Sequence, residues 1–99
     1  MVLNVSSPSP ARPGEEVVVI GRERPYRYVL DIIVRMNQGS ENITIIGKSK
    51  NIPKAITVYN ILRDRLGEAL ELKGVSIGSI YSKRNKRVSY IEIKISRRI

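Results

Sequence analysis

Cysteine, histidine, phenylalanine and tryptophan are all missing from this 99-residue chain. Without cysteine there is no disulfide framework and no thiolate metal site. Without histidine, general acid–base catalysis near neutral pH loses its commonest agent, and the usual zinc and triad chemistries lose a required part. The nine Asp and Glu residues are scattered along the chain. The expectation is a protein that is not an enzyme and uses no cofactor and no metal. No apolar run approaches the roughly 20 residues that span a bilayer. Neither helical segment sets a basic face against Trp or Phe, so no membrane partner is expected. Residues 1–14 lack the basic start and apolar middle of a signal peptide, which points to an intracellular protein.

Positive charge is what the chain has in excess. Its 18 Lys and Arg against 9 Asp and Glu give a formal net charge of +9. Such an excess repels itself, and it makes sense if the usual partner is a polyanion. A chain of this length forms one domain with a thin core, burying roughly two-thirds of its unfolded surface. That favours work on a surface over work in a deep pocket.

Pro8, Pro10, Pro13 and three serines mark residues 1–14 as a disordered tail, leaving 15–99 as the folded domain. Val17 to Ile20 is a continuous β-branched run, read as a buried strand central in its sheet. Over 26–38 the period changes, and Val29, Ile32, Ile33 and Met36 recur at helical spacing before Gly39. Ile43 to Ile46 predicts a second strand. A second helix follows, with Ile52, Ala55, Ile56, Tyr59, Leu62 and Leu66 as its apolar stripe, Asn51 as N-cap and Gly67 as its end. From Leu70 the period is two. The phase slips at Lys73-Gly74, which predicts a β-bulge. The strand runs to about Ser82. A turn over 83–86 has Asn85 in a left-handed conformation. The chain returns over 88–96 with Ile91, Ile93 and Ile95 inward and Tyr90, Glu92 and Lys94 outward. The order β-α-β-α-β-β predicts an α/β, or α+β, two-layer sandwich. It has a mixed four-stranded sheet, both helices on one face and a protruding C-terminal hairpin.

Three basic clusters carry the functional signal. Arg22, Arg24 and Arg27 follow the first strand, where solvated surface charge, taken alone, is a slightly better explanation than a binding site. Lys48, Lys50 and Lys54 surround the start of the second helix, with Asn51 among them. A helix N-terminus carries about half a positive charge and disfavours cations by a few tenths of a kcal/mol each. The arrangement makes sense if a phosphate docks there. Lys83, Arg84, Lys86 and Arg87 crowd one hairpin turn, a shape suited to a minor groove. The five aromatics are all tyrosines. Tyr81 and Tyr90 could each stack a base or serve packing, and Tyr59 falls on the apolar stripe.

Several segments resemble the Alba family of archaeal chromatin proteins. They are Ile20-Gly21-Arg22, Tyr28-Val29-Leu30, Asn37-Gln38-Gly39, the run GKSKNIPKAI from Gly47 to Ile56, and Arg87-Val88-Ser89 leading into Ile91-Glu92-Ile93. The resemblance covers nearly the whole chain after the tail. It implies a homodimer that binds DNA, and RNA, without strong sequence preference, compacting the chromosome from a cytoplasmic, nucleoid-associated location. It also implies central basic loops on the phosphate backbone and hairpin arms in flanking minor grooves. Arg22 stands at the family's first basic position after strand one, often an acetylated lysine; Lys48, Lys50 and Lys54 match its basic positions before and within helix two. Arg87 matches the arginine at the base of the arm. Leu66 replaces a Phe at a contact between dimers, and Tyr59 and Leu62 share its helix as expected dimer or dimer–dimer residues. Arg22 cannot take the lysine's acetyl group, and Glu23 replaces a second lysine. These departures suggest a second-paralogue type that pairs with a more typical partner as a heterodimer. The alternative is an RNA-binding module of a ribonucleoprotein or RNA-stabilising protein.

Overall fold

In a computed structural model that describes residues 15–98, the two β-branched runs lie side by side. The expected tail over 1–14 lies outside the described residues. Strand β1 (Glu15–Val19) pairs in parallel with β2 (Asn42–Lys48), from Glu15 opposite Asn42 to Val19 opposite Ile46. Helix α1 (Pro25–Asn37) makes the crossover between them. Helix α2 (Ile52–Leu66) leads from β2 to β3 (Leu70–Tyr81), which turns back into β4 (Arg87–Arg97). The sheet order is β1-β2-β4-β3, with β4 antiparallel to both neighbours. The two-layer fold class is therefore as expected. β1, however, is an edge strand and not a central one, and Val19 is 54% exposed. Its apolar run reads as central because only its alternate residues, Val18 and the following Ile20, are buried beneath α1 and α2.

One face of the sheet carries the core. Val18, Ile43, Ile45, Ile91, Ile93 and Ile95 share a side by register and meet Val29, Ile32 and Met36 of α1 and Ala55, Val58 and Leu62 of α2. The buried stripe of α2 is rotated from the expected one. Val58 is fully buried, whereas Ile56 is 41% exposed. The spacing Ala55-Val58-Leu62 keeps the helical period, and Ile56 lies one position off it. Tyr90 and Glu92 point to the far face as expected, yet both are buried, Tyr90 to 7% exposure. They sit on β4, which has strands on both sides.

The phase slip in β3 is a register shift between Leu72 and Gly74, as predicted. Its consequence is that Leu72, Val75 and Ile77 lie opposite Ile95, Ile93 and Ile91 and face the helix side together. Because β3 is the other edge, this apolar ribbon stays open, and Ile77 is 71% exposed. At the far end of α1, Arg35 donates to Asp31 and Glu16, tying the helix to β1. The hydrogen bond to Asp31 raises the guanidinium pKa, while partial burial pulls it down.

Gly47 fixes how closely β2 approaches α2. A Cβ there would lie 2.6 Å from the carbonyl oxygen of Asn51 and 2.8 Å from the Cβ of Ala55. The first contact is backbone and cannot rotate away. Gly47→Ala should cost about 1–3 kcal/mol by overpacking, lowering Tm by roughly 5–15 °C in a domain this size. Thermal unfolding followed by circular dichroism checks this; an unchanged Tm would show that the strand and helix separate without cost.

Candidate nucleic-acid interface

All three basic clusters fall at one end of the sheet. Arg22 and Arg24 follow β1, and Lys48 and Lys50 stand at the end of β2, its parallel neighbour. The last β2–β4 pair is Lys48 opposite Tyr90, but β3 and β4 stay paired out to Tyr81 opposite Arg87. The hairpin thus projects past the end of β2 by three further residues of β4, about 10 Å before its turn begins. At the turn Ser82 N–H donates to Lys86 O, Asn85 N–H donates to Ser82 O, and Asn85 has φ 61°, the expected left-handed conformation. Lys83, Arg84, Lys86 and Arg87 are exposed around it.

Gly21, Arg22, Lys50, Asn51 and Lys54 line an open groove of about 590 Å³ between the β1–α1 loop and the start of α2. Two tethers hold its near wall. The Lys54 ammonium donates to the carbonyl oxygens of Gly21 (2.7 Å) and Glu23 (2.9 Å). The Tyr28 hydroxyl accepts from the N–H groups of Gly21 (2.7 Å) and Glu23 (3.1 Å). The loop that carries Arg22 is therefore held from both of its polar sides, which leaves its side chains facing solvent. The far wall begins with a 3-10 turn at Ser49–Asn51, where Ser49 has φ 50°. Asn51 makes no side-chain cap, contrary to the sequence expectation. Its backbone is already helical at φ −89°, ψ 0°, because the 3-10 turn takes over the role of a cap.

The field at this end is positive from both backbone and side chains. α1 and α2 both start here, neither has an acidic residue in its first turn, and neither has a side-chain N-cap bond. Their unpaired N–H groups and dipoles add partial positive charge. Among the described residues, Glu23 is the one carboxylate at this end, and it pairs with Arg27 at 3.8 Å on an exposed surface. Glu15, Glu16, Glu41, Glu68 and Glu71 lie at the opposite end. There Arg35 pairs with Glu16, and Lys73 with Glu71.

The structure thus gathers Arg22, Lys50, Asn51 and Lys54 into one groove and places Arg24, Arg27, Lys48 and the four hairpin cations around the same end. Lys54 differs from the sequence reading: two of its three donors are occupied by backbone carbonyls, so it builds the groove wall as well as charging it. Leu62 corrects another expectation. It is fully buried within the core and has no surface for a neighbouring chain, because the rotated α2 stripe runs through it. Tyr59 and Leu66 are only half-buried at the core's margin. Sequence reasoning missed the two residues that shape the groove, Gly47 and the Tyr28 hydroxyl. Gly47 reads only as a strand end, and a tyrosine in the first turns of a helix gives no sign that its hydroxyl reaches back to Gly21 and Glu23 without the crossover geometry.

The family model described as Alba matches residues 15–84. The chain is 40% identical over 82 residues to the DNA/RNA-binding protein Alba 2 of Saccharolobus solfataricus, covering 83% of this chain and 91% of the relative. The protein of the same name from Saccharolobus shibatae matches to the same extent. Among solved structures, Alba from Thermoplasma volcanium superposes with a TM-score of 0.70 at 26% identity, covering 82% of this chain and 99% of that one. ALBA1 from Trypanosoma brucei shares the fold, with a TM-score of 0.72 at 18% identity over 82% of this chain and 68% of its own.

The two tethers predict a local effect on the groove wall. Tyr28→Phe removes the acceptor of two amides, and Lys54→Met removes two charge-assisted donors. Each should cost about 1–2 kcal/mol. Amide hydrogen exchange at Gly21 and Glu23 should quicken well before that of the β2 and β4 amides. Exchange that rises uniformly across the sheet would show that the loop has no separate tether.

Proposed function

The chain belongs to the Alba family, and from that premise we propose that it binds double-stranded DNA, and RNA, by charge and without regard to sequence. It acts as a dimeric architectural protein of the chromosome. The observation that carries this reading is the convergence of three basic clusters and two helix N-termini at one end of the sheet. The relatives named DNA/RNA-binding proteins support the partner class. No helix among the described residues is long and apolar enough to cross a membrane.

The mechanism is electrostatic. A phosphate docks in the groove beside Arg22 and Lys50, where the α2 N–H groups add a directional attraction. Lys54 keeps one donor for it. The hairpin reaches along the duplex and lays Lys83, Arg84, Lys86 and Arg87 against a minor groove, a contact that positions the protein but reads little sequence. Cations crowded at one end repel one another in the free protein and are relieved when phosphates arrive and counterions leave. Two chains associate through the β3 ribbon of Leu72, Val75 and Ile77, whose open apolar surface suits an isologous contact. Tyr59 and Leu66 serve contacts between dimers. The departures at Arg22 and Glu23 from the family's lysines favour a heterodimer with a more typical paralogue as well as the homodimer. The location that follows is the nucleoid within the cytoplasm.

Affinity for random-sequence duplex should fall steeply with salt in fluorescence anisotropy. Arg22→Ala or Lys50→Ala should each lower the log–log salt slope by about one unit and weaken all sequences alike. Lys73→Ala, at the opposite end, should leave the slope unchanged. An equal loss from Lys73→Ala would mean that net charge, and not this end, carries binding. For the dimer, Ile77→Asp should leave the fold intact, since the side chain is exposed, and shift sedimentation toward the monomer mass. A dimer that survives the substitution would place its interface elsewhere.

A further inference from the structure

The five tyrosines are the chain's entire stock of aromatic side chains, and the structure spends four of them. Tyr90 is buried on the far face of the sheet. Tyr59 packs against the core. Tyr28 holds the β1–α1 loop through its hydroxyl. Tyr26 accepts from Arg65 at 2.7 Å, with that guanidinium 4.7 Å from its ring centroid. Tyr81 alone is uncommitted: it is 61% exposed on the last residue of β3.

Its setting favours one kind of ligand. Tyr81 lies directly opposite Arg87, and the two share a hairpin face with Ser79. Arg87 Nε donates to Ser79 Oγ at 3.0 Å, which draws the guanidinium across the strands beside the tyrosine. Between Glu71 and Glu92 the hairpin has no carboxylate to repel a phosphate. A flat ring, an adjacent cation and a basic turn form a platform on which an unpaired base can stack while its phosphates meet the turn. A Watson–Crick duplex offers no free base face, so the platform adds nothing to duplex binding.

We propose that Tyr81 is a stacking residue for an unpaired nucleobase, so that the hairpin discriminates single-stranded or bulged nucleic acid from intact duplex. This rests on the reading of the hairpin as a nucleic-acid arm. It makes the arm a sensor of unpaired bases as well as an electrostatic anchor.

The test compares wild type, Tyr81→Ala and Tyr81→Phe for binding to a short unstructured RNA strand, the matching DNA strand and the intact duplex. Tyr81→Ala should weaken both single strands by about tenfold or more and change duplex affinity by less than about twofold. Tyr81→Phe should bind as wild type does. Tyr81→Trp supplies the chain's only tryptophan, and its fluorescence should be quenched by single strand and not by duplex. Equal loss on strand and duplex, or no loss on either, overturns the stacking role while leaving the arm's charge intact. Loss on one single strand alone would also overturn it, since every base has a face to stack. Wild type that binds none of the three overturns the nucleic-acid reading itself.

Discussion

Two parallel strands cannot be joined by a tight turn, so the chain must leave β1 and re-enter β2 through a crossover helix. That constraint decides where chemistry can gather. Both strands of the pair finish at the same end of the sheet, and each is followed there by a loop and a helix N-terminus. α1 and α2 therefore deliver their unpaired N–H groups to one end without any residue being selected for it. Antiparallel β4 then returns toward that end, and its pairing with β3 continues beyond the last rung of β2. Basic residues that are far apart in sequence become neighbours because the topology leaves them no other place.

The groove at that end depends on a backbone approach that only glycine permits. Gly47 lets β2 run close beneath the first turn of α2, and Lys54 then reaches the carbonyls after β1. Tyr28 closes the same loop from the other helix. Neutral and charge-assisted hydrogen bonds thus settle the wall, and the remaining cations stay turned to solvent. Charge at the opposite end is treated differently: Arg35 and Lys73 have carboxylate partners there. Apart from the exposed Glu23–Arg27 pair, the basic end has no carboxylate among the described residues to offset its cations, and that costs some self-repulsion.

Much of this was legible in the residues. The change of hydrophobic period located both helices, and the slip at Lys73-Gly74 revealed the bulge, because period is a direct image of which face is buried. The hairpin turn followed from Asn85. What could not be read was anything set by neighbours distant in sequence. Val17 to Ile20 has the composition of a central strand, yet the crossover places it at the edge. Ile56 satisfies a helical stripe as well as Val58 does, and only the direction of packing separates them. Leu62 looked available to a second chain until the core closed over it. Lys54 was recognisable as a cation in an unfavourable place, but the carbonyls that receive it belong to residues about thirty positions earlier. The three basic clusters were each visible, whereas their convergence on one end is a property of the sheet.

On the reading proposed above, one end of this sheet meets nucleic acid and the other does not. A titration of isotope-labelled protein with a random-sequence DNA duplex, followed by amide chemical shifts, tests it directly. Shifts should be confined to the β1–α1 loop, the Gly47 to Lys54 segment and the hairpin beyond Tyr90, with Glu41, Ala69 and Glu71 unmoved. Shifts centred on the Glu41, Ala69 and Glu71 end, or spread evenly over the surface, would contradict it.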